Sequence, residues 1–100
     1  MSMTIEQTAE MMLQGNDVLI EVLKSRNAYG LKKYGKSLDD NDIPERERAI
    51  HAIQEALDLS QYLVWLGLGD IAMVSIACIA KQLQKHYNLT AQEIIEGGKK

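Results

Sequence analysis

The sequence predicts an all-α protein, an antiparallel bundle of about four helices that assembles as an oligomer. Three observations lead there. The 100 residues contain one proline and no phenylalanine and are rich in Ala, Leu, Ile, Met, Gln and Glu, a helix-favouring composition. Glycines and side-chain caps divide the chain into segments of helical length and leave no credible strand. The segment "IAMVSIACIA" is apolar on every side, more than three neighbouring helices of a small monomer can bury. The length suits a single domain, 1–100, with one core, and burial gained on association would help it.

Thr4 with Gln7 forms a capping-box pattern that opens a short first helix ending near Gly15. Asn16 or Asp17 can cap the second, "VLIEVLKSRNAYGLKKY", which stops before Gly35. A loop follows in "GKSLDDNDIP", where Gly35, Ser37, Asp39, Asp40 and Asn41 are turn formers and Pro44 suits the first turn of the next helix. The third helix, "ERERAIHAIQEALDLSQYLVWL", continues to a terminator at Gly67 and Gly69. Asp70 can cap the fourth, "IAMVSIACIAKQLQKHY". Thr90 and Glu93 repeat the capping box for a last short turn, and "GGKK" reads as a frayed tail.

A net charge of −3 lacks the broad basic footprint that duplex DNA requires, so any anion site must be local. The single Cys78 precludes an intramolecular disulfide, agrees with a reducing compartment, and reads as a small buried packing residue. "MSMTIEQTAE" has acids where a secretory signal has a basic region, so a cytoplasmic location is expected. "YLVWLGLGDIAMVSIACIA" nearly has the length of a membrane span, but Asp70 sits near its middle, where a charge at bilayer depth costs at least ~2.5 kcal/mol.

Two helix faces carry the candidate chemistry. At 100° per residue, Ile50, Ile53, Leu57 and Val64 of the third helix make a core stripe. Nearly opposite, His51, Glu55, Asp58 and Tyr62 form a ladder within an arc of about 60°. Leu59, Leu63, Trp65 and Leu66 make this half of the helix apolar almost all round, so the ladder is expected to be covered, and covered carboxylates need partners. On the second helix Asp17, Glu21, Lys24 and Lys32 follow a polar stripe, whereas Arg26 and Lys33 project with Val18, Val22 and Tyr29 from a face that reads as core. Cations in an apolar face answer an anion, here either the Glu55 and Asp58 carboxylates or the phosphates of a bound ligand. Tyr29, Tyr34, Tyr62 and Trp65 offer rings to a nucleobase, although tyrosines near helix ends are more often core residues with a wet hydroxyl.

The residues Arg26, Gly30, Lys33-Tyr34-Gly35 and Leu38, followed after a loop by "AIQEALDLSQYL" at 52–63, resemble phage and bacterial proteins of the MazG-like, all-α nucleoside triphosphate pyrophosphohydrolase superfamily. There a "KYG" helix end precedes an "E-x-x-D...Y-L" helix, and the likeness spans residues 26 to 66. The resemblance implies helices packed as dimers or tetramers, and acids that hold Mg²⁺ against a triphosphate while water attacks phosphorus and pyrophosphate leaves. It implies that Glu55 and Asp58 are the metal ligands and that Lys33 and Tyr34 lie near phosphate or base; the helix faces described above add Arg26, Tyr29, His51 and Tyr62 as ligand-binding candidates. Active members carry E-E-x-x-E on the preceding helix; this chain has only Asp17 and Glu21 there.

Three functions follow from these readings. One is Mg²⁺-dependent hydrolysis of a (deoxy)nucleoside triphosphate. The second is non-catalytic capture of a nucleotide, as in a phage-type sponge that sequesters a nucleotide immune signal, which needs phosphate and base contacts but no metal cluster. The third is a structural helical interaction module built on the apolar fourth helix.

Overall fold

A computed structural model of the chain describes residues 2–40 and 42–97, with the backbone alone at 71–73. Its described residues form helices and turns without strands: α1 (Ile5–Met12), α2 (Asp17–Tyr34), α3 (Glu45–Trp65), α4 (Ile71–His86) and α5 (Ala91–Gly97). The expected last turn is thus a fifth helix, seven residues long. The chain divides into two compact units, Met1–Asp42 and Ile43–Lys100. No described helix is long and apolar enough to cross a membrane.

The first unit is the pair α1 and α2. Thr4 Oγ1 accepts from the Gln7 N–H at 3.0 Å while Gln7 Oε1 accepts from the Thr4 N–H at 2.9 Å, so the capping box forms reciprocally. Asn16 caps α2 by accepting from the Leu19 N–H. Gly35 ends α2 at φ +76°, a left-handed position a side chain rarely adopts. Asp39 Oδ1 accepts from the Ile5 N–H at 2.9 Å, tying the following loop to the first turn of α1. Ile20 and Leu23 are half-buried, and no residue of α1 or α2 is fully buried.

The second unit holds the core. Ala49, Ile50 and Ile53 of α3 are buried with Ala80 of α4 and Leu89 of the α4–α5 turn, and Ala56, Leu83, Tyr87 and Ile94 pack around them. This confirms Ile50 and Ile53 of the expected stripe, but Leu57 is 48% and Val64 56% exposed. The groups that close the core sit at its other end: Gln54 Nε2 donates to the Ile94 carbonyl at 2.8 Å, and Gly97 lies against Ile50. Cys78 is also exposed, not buried. It lies two residues before Ala80, about 160° around α4 from the side that meets α3. The expectation of an apolar circumference on α4 rested partly on Ile71 and Met73, whose side chains lie outside the described residues, as do Asn41 and the tail beyond Gly97.

Helix ends follow local chemistry, with two departures. Pro44 is one position earlier than expected, at the N-cap of α3, where its carbonyl accepts from Glu47 and Arg48 N–H. Asp70 occupies the N-cap position of α4 without a side-chain capping bond, contrary to the role expected of it. Gly67, at φ +79°, ends α3 in a Schellman motif closed by Leu68 N–H to Leu63 O and Gly67 N–H to Val64 O. Asn88, at φ +49°, does the same for α4, and puts Leu89 into the core.

Arg46 then gathers the end of the unit. Its guanidinium donates to the Tyr87 carbonyl, to the Asn88 carbonyl at 3.3 Å, and through Nε and Nη2 to Glu93 Oε2 at 3.0 and 2.6 Å. Glu93 closes the expected capping box with Thr90. The Tyr87 hydroxyl donates to Glu45 Oε1 at 2.8 Å; that hydrogen bond first, then desolvation and the carboxylate's charge, raise the tyrosine pKa.

Two predictions arise here. A Cβ on Gly97 would stand 2.7 Å from Ile50 Cγ2, a methyl of a buried β-branched side chain. Gly97→Ala should therefore cost ~1–3 kcal/mol through overpacking, seen as a lower melting temperature despite the better helix propensity of alanine. For the second, hydrogen bonds from Arg46 and then from Thr90 hold the Glu93 carboxyl below its ordinary 4.5. The folded chain thus favours the carboxylate more than the unfolded chain does. This contribution is present above the ordinary glutamate range and lost as pH falls through the folded value. Between about pH 6 and about pH 3 the melting temperature of the native chain should fall further than that of Glu93→Gln, whose side chain does not titrate.

Candidate functional site

The sequence candidates divide between the two units. Arg26, Tyr29, Lys33 and Tyr34 belong to α2, in the first; His51, Glu55, Asp58 and Tyr62 belong to α3, in the second.

On α2, Val18, Val22, Arg26, Tyr29 and Lys33 recur at intervals of four and three, a single stripe along the helix. The stripe does not face the interior of its unit, as a core reading required: Val18 is 70% and Tyr29 66% exposed, and Arg26 and Lys33 are exposed with them. The reason is the width of the contact with α1, which needs only the Ile20, Leu23 and Asn27 side; Asn27 Nδ2 donates to Glu6 Oε1 there at 3.2 Å. Lys33 Nζ lies 5.9 Å from the Tyr29 ring centroid and 5.3 Å from that of Tyr34, within cation–π range of both. Among the described residues the Arg26 side chain takes part in no ion pair or hydrogen bond; the lysines that do pair are Lys24 with Glu10 and Lys36 with Asp42.

On α3, Glu55, Asp58 and Tyr62 line an open groove of about 450 Å³ shared with α4, together with Ala56, Leu59, Ile76 and Ile79. The sequence ladder is thus partly assembled: three of its members reach the groove, while His51, a turn earlier, is exposed and outside it. The groove walls are largely apolar, which makes the two carboxylates its polar feature. Neither carboxylate takes part in an ion pair or hydrogen bond among the described residues. Tyr62 is 58% exposed, with its ring centroid 6.5 Å from that of Trp65, itself 82% exposed. Tyr29, Tyr34 and Tyr62 are therefore surface rings and not core residues.

Among the described residues no three His, Cys, Asp or Glu side chains converge as metal ligands. The contribution of Ile76 and Ile79 was not legible beforehand, since a helix apolar all round gives no angular signal for the side that borders a groove. No protein-family model, curated protein or solved structure matches the chain.

Proposed function

We propose that this protein binds a nucleotide, with Arg26 and Lys33 as its phosphate contacts, Tyr29, Tyr34 and Tyr62 as ring surfaces for the base, His51 as a further polar contact, and Glu55 and Asp58 as the ligands of a Mg²⁺ ion. One observation carries the reading: cations on α2 and carboxylates on α3 stand on apolar surfaces, while Arg26, Glu55 and Asp58 take part in no ion pair among the described residues. Charges so placed are suited to an external partner of opposite sign, and a magnesium nucleotide supplies both signs.

If the site is hydrolytic, Mg²⁺ would supply neutralisation of phosphate charge. In that reaction water bonds to the α-phosphorus and gives up its proton to solvent, the bond from that phosphorus to the α–β bridging oxygen breaks, and pyrophosphate departs with the bonding pair. Arg26 and Lys33 would hold the phosphate chain and stabilise its charge. The count of two carboxylates favours a second reading, capture of the nucleotide without turnover. In either case we propose an assembly of at least two copies, supported by the exposure of Trp65 at 82%, Met12 at 81% and Tyr34 at 71%, with five core residues buried among the described residues.

Calorimetry against linear and cyclic nucleotides, with and without Mg²⁺, combined with product analysis, tests both readings. Monophosphate and pyrophosphate from a deoxynucleoside triphosphate establish hydrolysis, binding without turnover establishes capture, and no binding across the panel removes the function.

A further inference from the structure

The C-terminal half of α2 is a cationic and aromatic surface complete within the first unit. Residues 22–38 contain five cations and no acid, although the chain as a whole is acidic. Lys24 is engaged by Glu10 at 3.2 Å, while Arg26 and Lys33 stand exposed on the stripe that lies clear of the contact with α1. Beside them are Tyr29 and Tyr34, 66% and 71% exposed, with the Lys33 ammonium in cation–π range of both rings. Basic residues in a last helical turn complement the helix dipole, which accounts for Lys32 and Lys33. It does not account for Arg26, two turns earlier, or for two large rings that α1 leaves uncovered.

We propose that this surface binds single-stranded nucleic acid, with Arg26 and Lys33 on phosphates of the strand and Tyr29 and Tyr34 each stacked on a base. Rings set along a cationic track suit a single strand, because every base offers a face and every linkage a negative charge. Arg26 and Lys33 are about 10.5 Å apart along the helix, a reach of roughly three nucleotides at about 3.4 Å each. Tyr29 and Tyr34 are about 7.5 Å apart along the axis, so they serve different bases. A duplex keeps its base faces inside the stack and offers phosphate alone, to a chain whose net charge of −3 opposes it. Ring and phosphate contacts do not read the ribose 2′-hydroxyl, so DNA and RNA strands are equivalent partners. The inference stands on α2 alone. It uses the α2 side chains of the nucleotide reading but needs neither Glu55, Asp58 nor Mg²⁺, so either can fail without the other.

Fluorescence anisotropy with a labelled twelve-residue oligothymidylate, its oligouridylate counterpart and a duplex of the same length tests this on the full chain, without Mg²⁺ and over a range of salt. The two single strands should bind with comparable affinity and the duplex much more weakly. With two phosphate contacts, the logarithm of the binding constant should fall with the logarithm of salt at a slope of about −1.4, and Arg26→Ala or Lys33→Ala should each bring it to about −0.7. Tyr29→Ala and Tyr34→Ala should each weaken binding about 5- to 150-fold and leave the slope unchanged, whereas Tyr29→Phe and Tyr34→Phe, which keep the ring, should bind as the native chain does. All four positions are exposed, and helical circular dichroism checks that the fold survives.

No binding of either strand at low salt, equal binding of strand and duplex, or a salt slope that Arg26→Ala and Lys33→Ala leave unchanged would overturn the proposal. So would a strong preference for one sugar, since it requires contacts that these four side chains do not make. A chain that binds a mononucleotide in calorimetry but neither strand keeps the nucleotide reading and loses this one. A chain that binds both strands but no mononucleotide does the reverse.

Discussion

Ile53→Ala is expected to bring the second unit close to its unfolding midpoint at room temperature. Ile53 is only 3% exposed and is one of five buried residues among those described. Truncating a buried isoleucine to alanine costs about 2–5 kcal/mol, part lost burial and part cavity. A unit of this size has a total stability of roughly 3–9 kcal/mol at typical values per residue, so the substitution removes a large share of it. Ile53→Val, which removes one methylene, should cost only about 0.5–1.5 kcal/mol. Urea titration followed by helical circular dichroism measures both, and equal midpoints for the two variants would show that Ile53 does not hold the core. Leu57→Ala, from the same expected stripe but 48% exposed, should give a much smaller shift.

Arg26→Ala is the second large effect and tests the proposed nucleotide binding. A guanidinium that holds phosphate oxygens through charge-assisted hydrogen bonds contributes about 1.5–3 kcal/mol, so nucleotide affinity should fall roughly 10- to 150-fold. Arg26→Lys keeps the charge but loses the planar fork, and should lie between the two. Lys32→Ala is the control, because Lys32 is about 120° around α2 from Arg26, on the polar stripe. Equal losses for Lys32→Ala and Arg26→Ala would mean that only general positive charge matters. Equilibrium dialysis at two salt concentrations separates these cases, since a diffuse charge effect is screened more strongly than a direct contact.

Much of the helical plan could be read directly, because helix ends are fixed by a few neighbouring residues. Thr4 with Gln7, Asn16, Gly35, Gly67 and Thr90 with Glu93 all behave as their local chemistry requires. Burial was less legible. A helical wheel gives the side a residue faces, but not where along the helix the covering element stops; hence Ile53 is buried while Leu57 and Val64, on the same side, are not. Cys78 shows the same limit from the other direction, since an apolar neighbourhood in sequence says nothing about which side of α4 meets α3. Arg46 was illegible for another reason. Its partners Tyr87, Asn88 and Glu93 lie more than forty positions away, and neither composition nor period links them to the start of α3. Of the candidate site, the pattern on each helix was readable and the openness of both faces was not.

The Arg46 clasp has a consequence for the order in which the chain comes apart. A helix of seven residues has almost no stability of its own, so α5 persists through its attachment to α3, at Arg46, Ile50 and Gln54, and to the end of α4. Opening at α5 is therefore expected to loosen the first turn of α3 and the end of α4 with it. Amide hydrogens around Arg48, Leu89 and Glu96 should then exchange with deuterium at one common rate, as a single cooperative patch, while those of α1 follow a clock of their own.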